Sequence, residues 1–484
     1  MISDFLFVGA IASIYLCLIL RPRWYLYALF FAAPWMGMVV RIGWMLEPFK
    51  IGLLLSPALY LGLRVSRRVA APLKPIACLL AWAAALFIWQ SLSREIVAFD
   101  VLRSDVLSTR LEVANVMFFL RLALFGLVLC YIDAATVPRC MALYVGAVSL
   151  LAFYGAIQEI SFITLGDPIT YALSDSHSLI RTSGANFSGT LFGISILRIN
   201  SFFGEPKDLA FFVMPALAFV FAKARIPDPR LQERAWVTKA QMGLLTIVGI
   251  MSFSSSFLIV LPVLFVTLLA LEPRMRGRRK RVLLSIAVCL CCIPLFGAIW
   301  QIRVRERFGS PIEFLQESRE RPAWGFFLDK FPRSLLGLGV GTQAYYLPGL
   351  MGAEFQNSVA KVDAAAGMDS FLLSLLLDLG VPGALFFLWL CWKIIRGDRA
   401  RTPENWPYTA AAIGAILISV PLQGDLRSGT LWLLLALAWV RQRAVRPAMP
   451  GAIGRYRLEG RRVTPSRGRR QLVPMAQREL RNDA

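Results

Sequence analysis

The chain has 484 residues, of which 57% are hydrophobic and 17% are charged, and its formal net charge is +22. This apolar surface exceeds what one soluble core buries, so the composition excludes an ordinary soluble globular protein. The basic excess flanks hydrophobic segments and no nucleic-acid-binding motif accompanies it, so a nucleic-acid partner is not expected.

Apolar segments follow one another along most of the chain. A membrane-crossing helix needs roughly 20 apolar residues, and a helix satisfies its own backbone hydrogen bonds in lipid. The pattern therefore predicts an all-α, polytopic transmembrane bundle over residues 1–440, with about 12 or 13 spans. The predicted spans are 4–20, 24–41, 48–63, 73–91, 111–132, 138–160, 207–222, 240–255, 257–271, 282–300, 370–392, 407–423 and 428–440. The serines of 252–256 either separate two spans or bend one helix.

Lys and Arg residues orient the predicted bundle. If Arg21 and Arg23 are cytoplasmic, strict alternation places most of the 52 Lys and Arg on the same side, as the positive-inside rule requires. We therefore expect a multi-pass membrane protein with a cytoplasmic C-terminus. The basic tail, 441–484, is predicted to be disordered and attracted to anionic lipid.

Cysteines and acidic residues give no sign of a metal or cofactor. The eight cysteines lie in or beside predicted spans, which favours neither a disulfide framework nor a metal site. The clustered acids Glu313, Glu317 and Glu320 stand beside arginines and are interpreted as a solvated helix face. No cofactor is expected.

Two loops on the predicted outer face carry charge. The first, 161–206, leads into a span, and Arg198, Glu205 and Asp208 stand close together in the sequence where that span starts. A guanidinium binds phosphate oxygens bidentately, and a nearby carboxylate accepts a proton from an attacking hydroxyl. The alternative is a solvated helix start, in which the two carboxylates interact with the helix dipole.

The second loop, 301–369, is predicted to be a large loop on the same outer face. Its early part mixes charged and apolar residues, which indicates short helices lying on the membrane surface. The GLGVG segment, residues 337–341, follows and permits close backbone approach. No strand-turn-helix unit surrounds these glycines, so they are not a nucleotide fingerprint.

Landmarks of both loops stand in a recognisable order. They are Arg198, Gly204 and Pro206, then Arg321, Trp324 and Pro332, then the GLGVG segment, and last Leu379, Gly380, Val381, Pro382 and Gly383. This order resembles the O-antigen ligase and polymerase family, polytopic enzymes that join or polymerise glycans carried on undecaprenyl diphosphate. The resemblance covers roughly residues 195–395.

One departure from the family pattern favours the polymerase branch. Where the family has a His-Asn pair, this chain has Asp369 and Ser370, and its only histidine, His177, lies in the first loop. The ligase branch is associated with that histidine. His177 itself is interpreted as a surface residue.

The resemblance implies a metal-independent, inverting glycosyltransferase of the bacterial inner membrane that uses a polyprenyl-diphosphate-linked oligosaccharide and has both loops, 161–206 and 301–369, in the periplasm. Arg198 and Arg321 would stabilise the departing diphosphate, and Trp324 belongs to the same substrate-binding set. Glu205 or Asp369 would assist the acceptor hydroxyl. The implied partners are the lipid-linked oligosaccharide, the membrane, and a flippase and chain-length regulator of a polysaccharide pathway.

Two other functions stay open. A ligase would move finished glycan to another acceptor, and a transporter would carry the same lipid-linked glycan. No internal repeat is evident, which counts against transporter folds built from two related halves.

Ionisable residues within the predicted spans are costly and indicate function. Arg121 either holds the lipid diphosphate or pairs with Asp378 as a buried structural contact. Glu159, near the end of its span, is expected to be solvated at the outer interface.

Overall fold

The computed structural model describes most of the helical segments, and every structural statement below refers to those residues. They are 2–35, 40–42, 44–61, 70–93, 104–166, 169, 188–191, 194–197, 199, 201–202, 206–225, 235–272, 328, 332–340, 371–397, 400, 402–419 and 429–443. The chain divides into two units, Met1–Ala444 and Val445–Ala484. The second unit, which is nearly the whole of the predicted basic tail, lies outside the described residues.

Helices dominate the described part of the chain. They are α1 (Ile2–Leu18), α2 (Pro22–Ala32), α3 (Pro48–Leu55), α4 (Ala58–Leu61), α5 (Ala70–Ser93), α6 (Ser104–Tyr131), α7 (Val137–Leu165), α8 (Pro206–Arg225), α9 (Ala235–Met251), α10 (Ser255–Leu271), α11 (Phe371–Arg396), α12 (Trp406–Ser419) and α13 (Gly429–Arg443). A 3₁₀ turn covers Arg333–Leu335. The prediction of a mainly helical chain is confirmed.

Two helices are long and apolar enough to cross a membrane. They are Val137–Leu165, with 29 residues, and the 23-residue stretch Ser374–Arg396 of α11. Six further apolar helices of 10–17 residues lie in the described part of the chain. Length and composition thus indicate membrane association.

Two short antiparallel ribbons accompany the helices. Strand β1 (Val40–Ile42) pairs with β2 (Trp44–Leu46), and β3 (Ser188–Leu191) pairs with β4 (Ile194–Leu197). The second ribbon lies within the predicted loop 161–206, and α7 extends to the first residues of that loop. Short β-branched runs of this kind are hidden within an apolar background, which hydropathy alone reads as helix.

The second and third predicted spans are shorter than expected. The span 24–41 contains only α2, which ends at Ala32, because Pro34 has no N–H to continue the helical hydrogen bonds; β1 begins at Val40. The span 48–63 contains α3 and α4, which are separated at Pro57. Helices of 11 and 8 residues are about 16 and 12 Å long, well short of a hydrocarbon layer of about 30 Å.

The serine-rich segment after α9 separates two helices. Helix α9 ends at Met251 and α10 begins at Ser255, and Phe253 between them has φ 44°. The Ser252 hydroxyl donates to the Gly249 carbonyl over 2.7 Å, which satisfies an acceptor at the end of α9. The alternative of one bent helix is therefore wrong.

A single hydrophobic core joins most of these helices. Helix α8 packs along α12 and also contacts α9 and α10, while α13 packs between α12 and α6. Gly414 of α12 lies against α8, where a Cβ would come within 3.2 Å of the Met214 carbonyl oxygen. The fully buried Trp406 and Trp432 fill the interior beside these contacts. This core holds α6 and α11, which carry the groups considered next.

Polar contacts join helix ends on one side of the bundle. Arg23 at the start of α2 forms a 2.8 Å ion pair with Asp133, which follows α6. Arg441 near the end of α13 is buried and donates to the Ala134 carbonyl over 2.9 Å. Arg225, at the end of α8, donates to both carboxylate oxygens of Glu272 over 3.0 Å. The contacts fix which helix termini lie together.

Candidate functional site

One of the six predicted site residues lies in the described part of the chain. Arg121 is on α6 and its side chain is buried. Predictions for the other five stay predictions, because those residues lie outside the described segments; they are Arg198, Glu205, Arg321, Trp324 and Asp369. Chain segments that flank them are described, and these segments show how both loops are fixed to the helices.

Helix α11 is broken in its middle. Gly380 has φ 69° and ψ −174°, which interrupts the helical hydrogen bonds. Two residues later stands Pro382, which has no N–H to offer the Asp378 carbonyl that a continuous helix would bond to it. The break therefore leaves consecutive carbonyl oxygens that need donors from elsewhere.

The GLGVG segment supplies two of those donors. The Leu338 N–H donates to the Leu377 carbonyl over 2.7 Å, and the Gly339 N–H donates to the Asp378 carbonyl over 2.9 Å. A third donor comes from α5, where the Trp82 indole N–H bonds the Leu379 carbonyl over 2.9 Å. The break in α11 is thus closed by the second loop and by α5.

Glycine is required on both sides of this contact. A Cβ on Gly337 would lie 2.6 Å from the Gly380 nitrogen, and a Cβ on Gly380 would lie 2.5 Å from the Gly337 nitrogen. Gly337, Gly339 and Gly380 all have positive φ, of 96°, 96° and 69°. The two glycine motifs that carry the family resemblance therefore meet backbone to backbone. We call residues 332–340 the second-loop anchor.

Helix α6 connects the second-loop anchor to Arg121. The Asn115 side-chain amide donates to the Val340 carbonyl over 3.0 Å, and both residues are buried. Arg121 follows Asn115 by six residues, or about 9 Å along the helix axis. A buried guanidinium therefore lies about 9 Å along the same helix from the contact with the loop.

Further polar side chains are buried on α11 and in the anchor. Asp378 stands at the break, Ser374 lies one turn before it, and Ser334 lies in the 3₁₀ turn; all three are buried. Burial of a carboxylate and a guanidinium away from water is costly unless polar partners surround them. The pairing of Arg121 with Asp378 stays a prediction.

The first loop is fixed by side chains of α7. The Gln158 side chain accepts from the Ser201 N–H over 2.8 Å and donates to the Ser201 carbonyl over 3.2 Å. The Ser201 hydroxyl donates to the Leu151 carbonyl over 2.8 Å, and Ser201 has φ 54°. We call the described residues among 197–202 the first-loop anchor; Arg198 lies between two of them in the sequence.

Apolar contacts complete the first-loop anchor. Ile199 is buried, and its N–H donates to the Met251 carbonyl at the end of α9 over 3.2 Å. Gly155 of α7 leaves room for Ile199, because a Cβ there would lie 2.6 Å from its Cγ2. The Phe202 ring stacks on Tyr154 with a centroid distance of 4.1 Å. The residues on either side of Arg198 are thus held in the interior.

The prediction that Glu159 is solvated is wrong. Helix α7 continues to Leu165, so Glu159 is not at its end, and only 8% of the residue is exposed. The Leu197 N–H bonds the Glu159 carboxylate, which joins α7 directly to the residue before Arg198. The prediction ended the span at residue 160, whereas the helix continues to Leu165 with polar side chains facing the protein and apolar side chains facing outward.

Sequence reasoning also missed Trp82, Asn115 and Gln158. Each side chain bonds backbone of a distant segment, and each is embedded in an apolar helix. A polar amide within such a helix is a signal that was available in the sequence. The partners Leu379, Val340 and Ser201 could not be read from the sequence, because each lies at least 43 residues away along the chain.

Neither a scan against protein-family models nor a search of curated proteins finds a match. Within the described segments, no group of three His, Cys, Asp or Glu side chains is arranged to hold a metal ion.

Proposed function

We propose that this protein is an inner-membrane polysaccharide polymerase. It would transfer glycan from an undecaprenyl-diphosphate-linked donor to a lipid-linked acceptor on the periplasmic face. One observation carries the proposal: the GLGVG segment bonds the carbonyls at the break of α11 and is itself bonded by α6, the helix that carries the buried Arg121.

The broken helix supports a ligand site within a membrane bundle. Non-helical backbone at membrane depth is stable only where protein buries it or where it lines a cavity, and discontinuous helices often form binding sites there. The second-loop anchor and α5 donate to the carbonyls at the break of α11, and α6 bonds the anchor through Asn115. The second-loop anchor is therefore packed into the bundle, which favours a role for this loop in chemistry over a role as a linker.

The arginines would bind the diphosphate. A guanidinium offers paired donors that match phosphate oxygens, and its charge persists at any physiological pH. As the bond from the anomeric carbon to the diphosphate breaks, negative charge develops on the leaving group, and preorganised arginines would stabilise it. Arg121 would act with Arg198 and Arg321, while Glu205 or Asp369 would be the candidates to assist the acceptor hydroxyl.

Contacts at the helix ends support the proposed topology. The alternation of spans assigns the start of α2, the α6–α7 connection and the ends of α8, α10 and α13 to the cytoplasm. The ion pairs Arg23–Asp133 and Arg225–Glu272, and the bond from Arg441 to Ala134, join ends assigned to that same side. The first-loop anchor joins ends assigned to the opposite side, where Ile199 bonds Met251.

Purified protein supplied only with lipid-linked repeats tests the proposal. A ladder of longer lipid-linked glycans on a gel is the expected result. A product that forms only after another acceptor is added would support a ligase, and translocation across liposomes without lengthening would support a transporter. Arg121→Gln, Arg198→Gln and Arg321→Gln should each abolish the ladder, whereas Arg23→Gln, at the other end of the bundle, should retain it.

A further inference from the structure

A buried carboxylate lies beside the first-loop anchor and has no role in the scheme above. Glu159 is 8% exposed, in contrast to its neighbours Ile160 and Ile163 on α7, which are 61% and 70% exposed. Gln158 and Ser161 are buried with it. The last turns of α7 therefore present a polar face to the protein and an apolar face outward.

The Glu159 carboxylate is only half satisfied. One hydrogen bond comes from the Leu197 N–H. Its Oε2 atom is buried and accepts no hydrogen bond within the described part of the chain. Burial removes hydration from a carboxylate, so its oxygens need polar partners in the interior. A hydroxyl donor from a bound molecule would replace that hydration.

The surroundings favour the acceptor sugar as that molecule. Leu197, whose N–H bonds Glu159, directly precedes Arg198, the predicted diphosphate ligand. Gln158, the residue before Glu159, holds Ser201 on the other side of Arg198 through two hydrogen bonds. Neighbouring residues of α7 thus hold Leu197 and Ser201, which precede and follow Arg198 in the sequence.

We propose that Glu159 is the general base of the transfer reaction, a step that rests on the glycosyl transfer proposed above. The acceptor hydroxyl oxygen forms a bond to the anomeric carbon of the donor, and its proton passes to Glu159 Oε2. The bond between that carbon and the diphosphate oxygen breaks, and the diphosphate leaves with the electron pair. The proton is later released to water, so no other reactant is needed.

This assignment gives the neighbouring residues separate roles. Glu159 contacts the reacting hydroxyl, whereas Gln158 is a positioning residue that acts through the backbone of Ser201. Glu205 and Asp369, the earlier candidates for the base, are then free of that role. The base of the reaction lies on a helix, which holds its position more rigidly than a loop does.

The test uses the full chain in lipid nanodiscs with lipid-linked repeats of one sugar composition. Glu159→Gln keeps the shape but cannot accept the proton, so we expect the lengthening rate to fall about 10²- to 10⁴-fold. Binding of fluorescent lipid-linked donor should change by less than about threefold, because the base acts in the transition state. Glu404→Gln, a matched change of an exposed glutamate at the other end of the bundle, should leave the rate unchanged.

A second variant separates chemistry from folding. Glu159→Ala leaves space for a small carboxylate, and added formate should restore part of its lengthening rate. Wild-type activity in Glu159→Gln, or an inactive Glu159→Ala that formate does not restore, would overturn the assignment while leaving the polymerase proposal intact. If wild-type protein does not lengthen the glycan at all, the polymerase proposal fails and this assignment fails with it.

Discussion

The two loop anchors are held to the bundle by opposite means. The first-loop anchor is held by side chains, since Gln158 and Glu159 bond the backbone on either side of Arg198. The second-loop anchor is held by backbone contact, since the glycines at 337 and 380 have no Cβ and let two backbone segments of the chain touch. One anchor therefore depends on which side chains are present and the other on which are absent.

This difference has a functional sense in the proposed reaction. Side chains that hold a loop also place chemical groups beside it, and Glu159 is such a group. Backbone contact adds no reactive group, but it closes the break in α11 without a void. We therefore expect substitutions at the first anchor to affect activity strongly, and substitutions at the second anchor to affect folding first.

The largest effect is expected from Gly380→Ala. The added Cβ would collide with the Gly337 nitrogen, and φ 69° is unfavourable for alanine. The colliding atoms on both sides belong to the backbone, so we expect the variant to lose more than about 4 kcal/mol of stability and not to fold. Size-exclusion profiles of detergent-solubilised protein measure this. Gly146→Ala on α7 is the matched control, because a Cβ there meets nothing within 4 Å.

A folded and active Gly380→Ala protein would show that the glycine motifs do not need backbone contact. Backbone contact would then not be what holds the second-loop anchor to α11.

An intermediate effect is expected from Gln158→Leu. The change removes two hydrogen bonds to Ser201 and leaves that backbone buried, at a cost of about 1–3 kcal/mol. The protein should fold, with a lower melting temperature, and its lengthening rate should fall because Arg198 is less firmly placed. Thr164→Val, which loses only hydrogen bonds within α7, is the control. An unchanged rate in Gln158→Leu would contradict the positioning role.

The smallest effect is expected from Trp82→Phe. This change removes one hydrogen bond, to the Leu379 carbonyl, and retains most of the aromatic surface. Polar contacts of this kind in membrane bundles contribute about 1 kcal/mol. Thermal melting should detect the shift, and the exposed Trp236→Phe should show none. A Trp82→Phe protein that fails to fold would mean that α5, and not the glycine contact, closes the break in α11.

Much of the helical pattern could be predicted from hydropathy. The predicted spans at 73–91, 138–160 and 207–222 lie within α5, α7 and α8. The ribbon at Val40–Leu46 could not be predicted in this way, because apolar β-branched residues give the same high hydropathy in a helix and in a strand. The extension of α7 past residue 160 was also missed, since Gln158 and Glu159 lower the hydropathy of a helix that continues.

The order of the glycine motifs was readable, but their contact was not. A glycine triplet indicates only that backbone approaches something closely, and the partner of Gly337 lies at Gly380, across the end of a long loop. Likewise, Asn115 and Val340 are 225 residues apart. Such pairs are determined by how helices pack, which no local pattern contains.

The measurement that tests the central claim most directly is photolabelling by a lipid-linked donor that carries a diazirine next to the diphosphate. The account predicts that labelled peptides, identified by mass spectrometry, come from α6 around Arg121 and from the two loop anchors, and that unlabelled donor suppresses the labelling. Labels confined to the opposite end of the bundle, near Arg23 and Arg441, would contradict it.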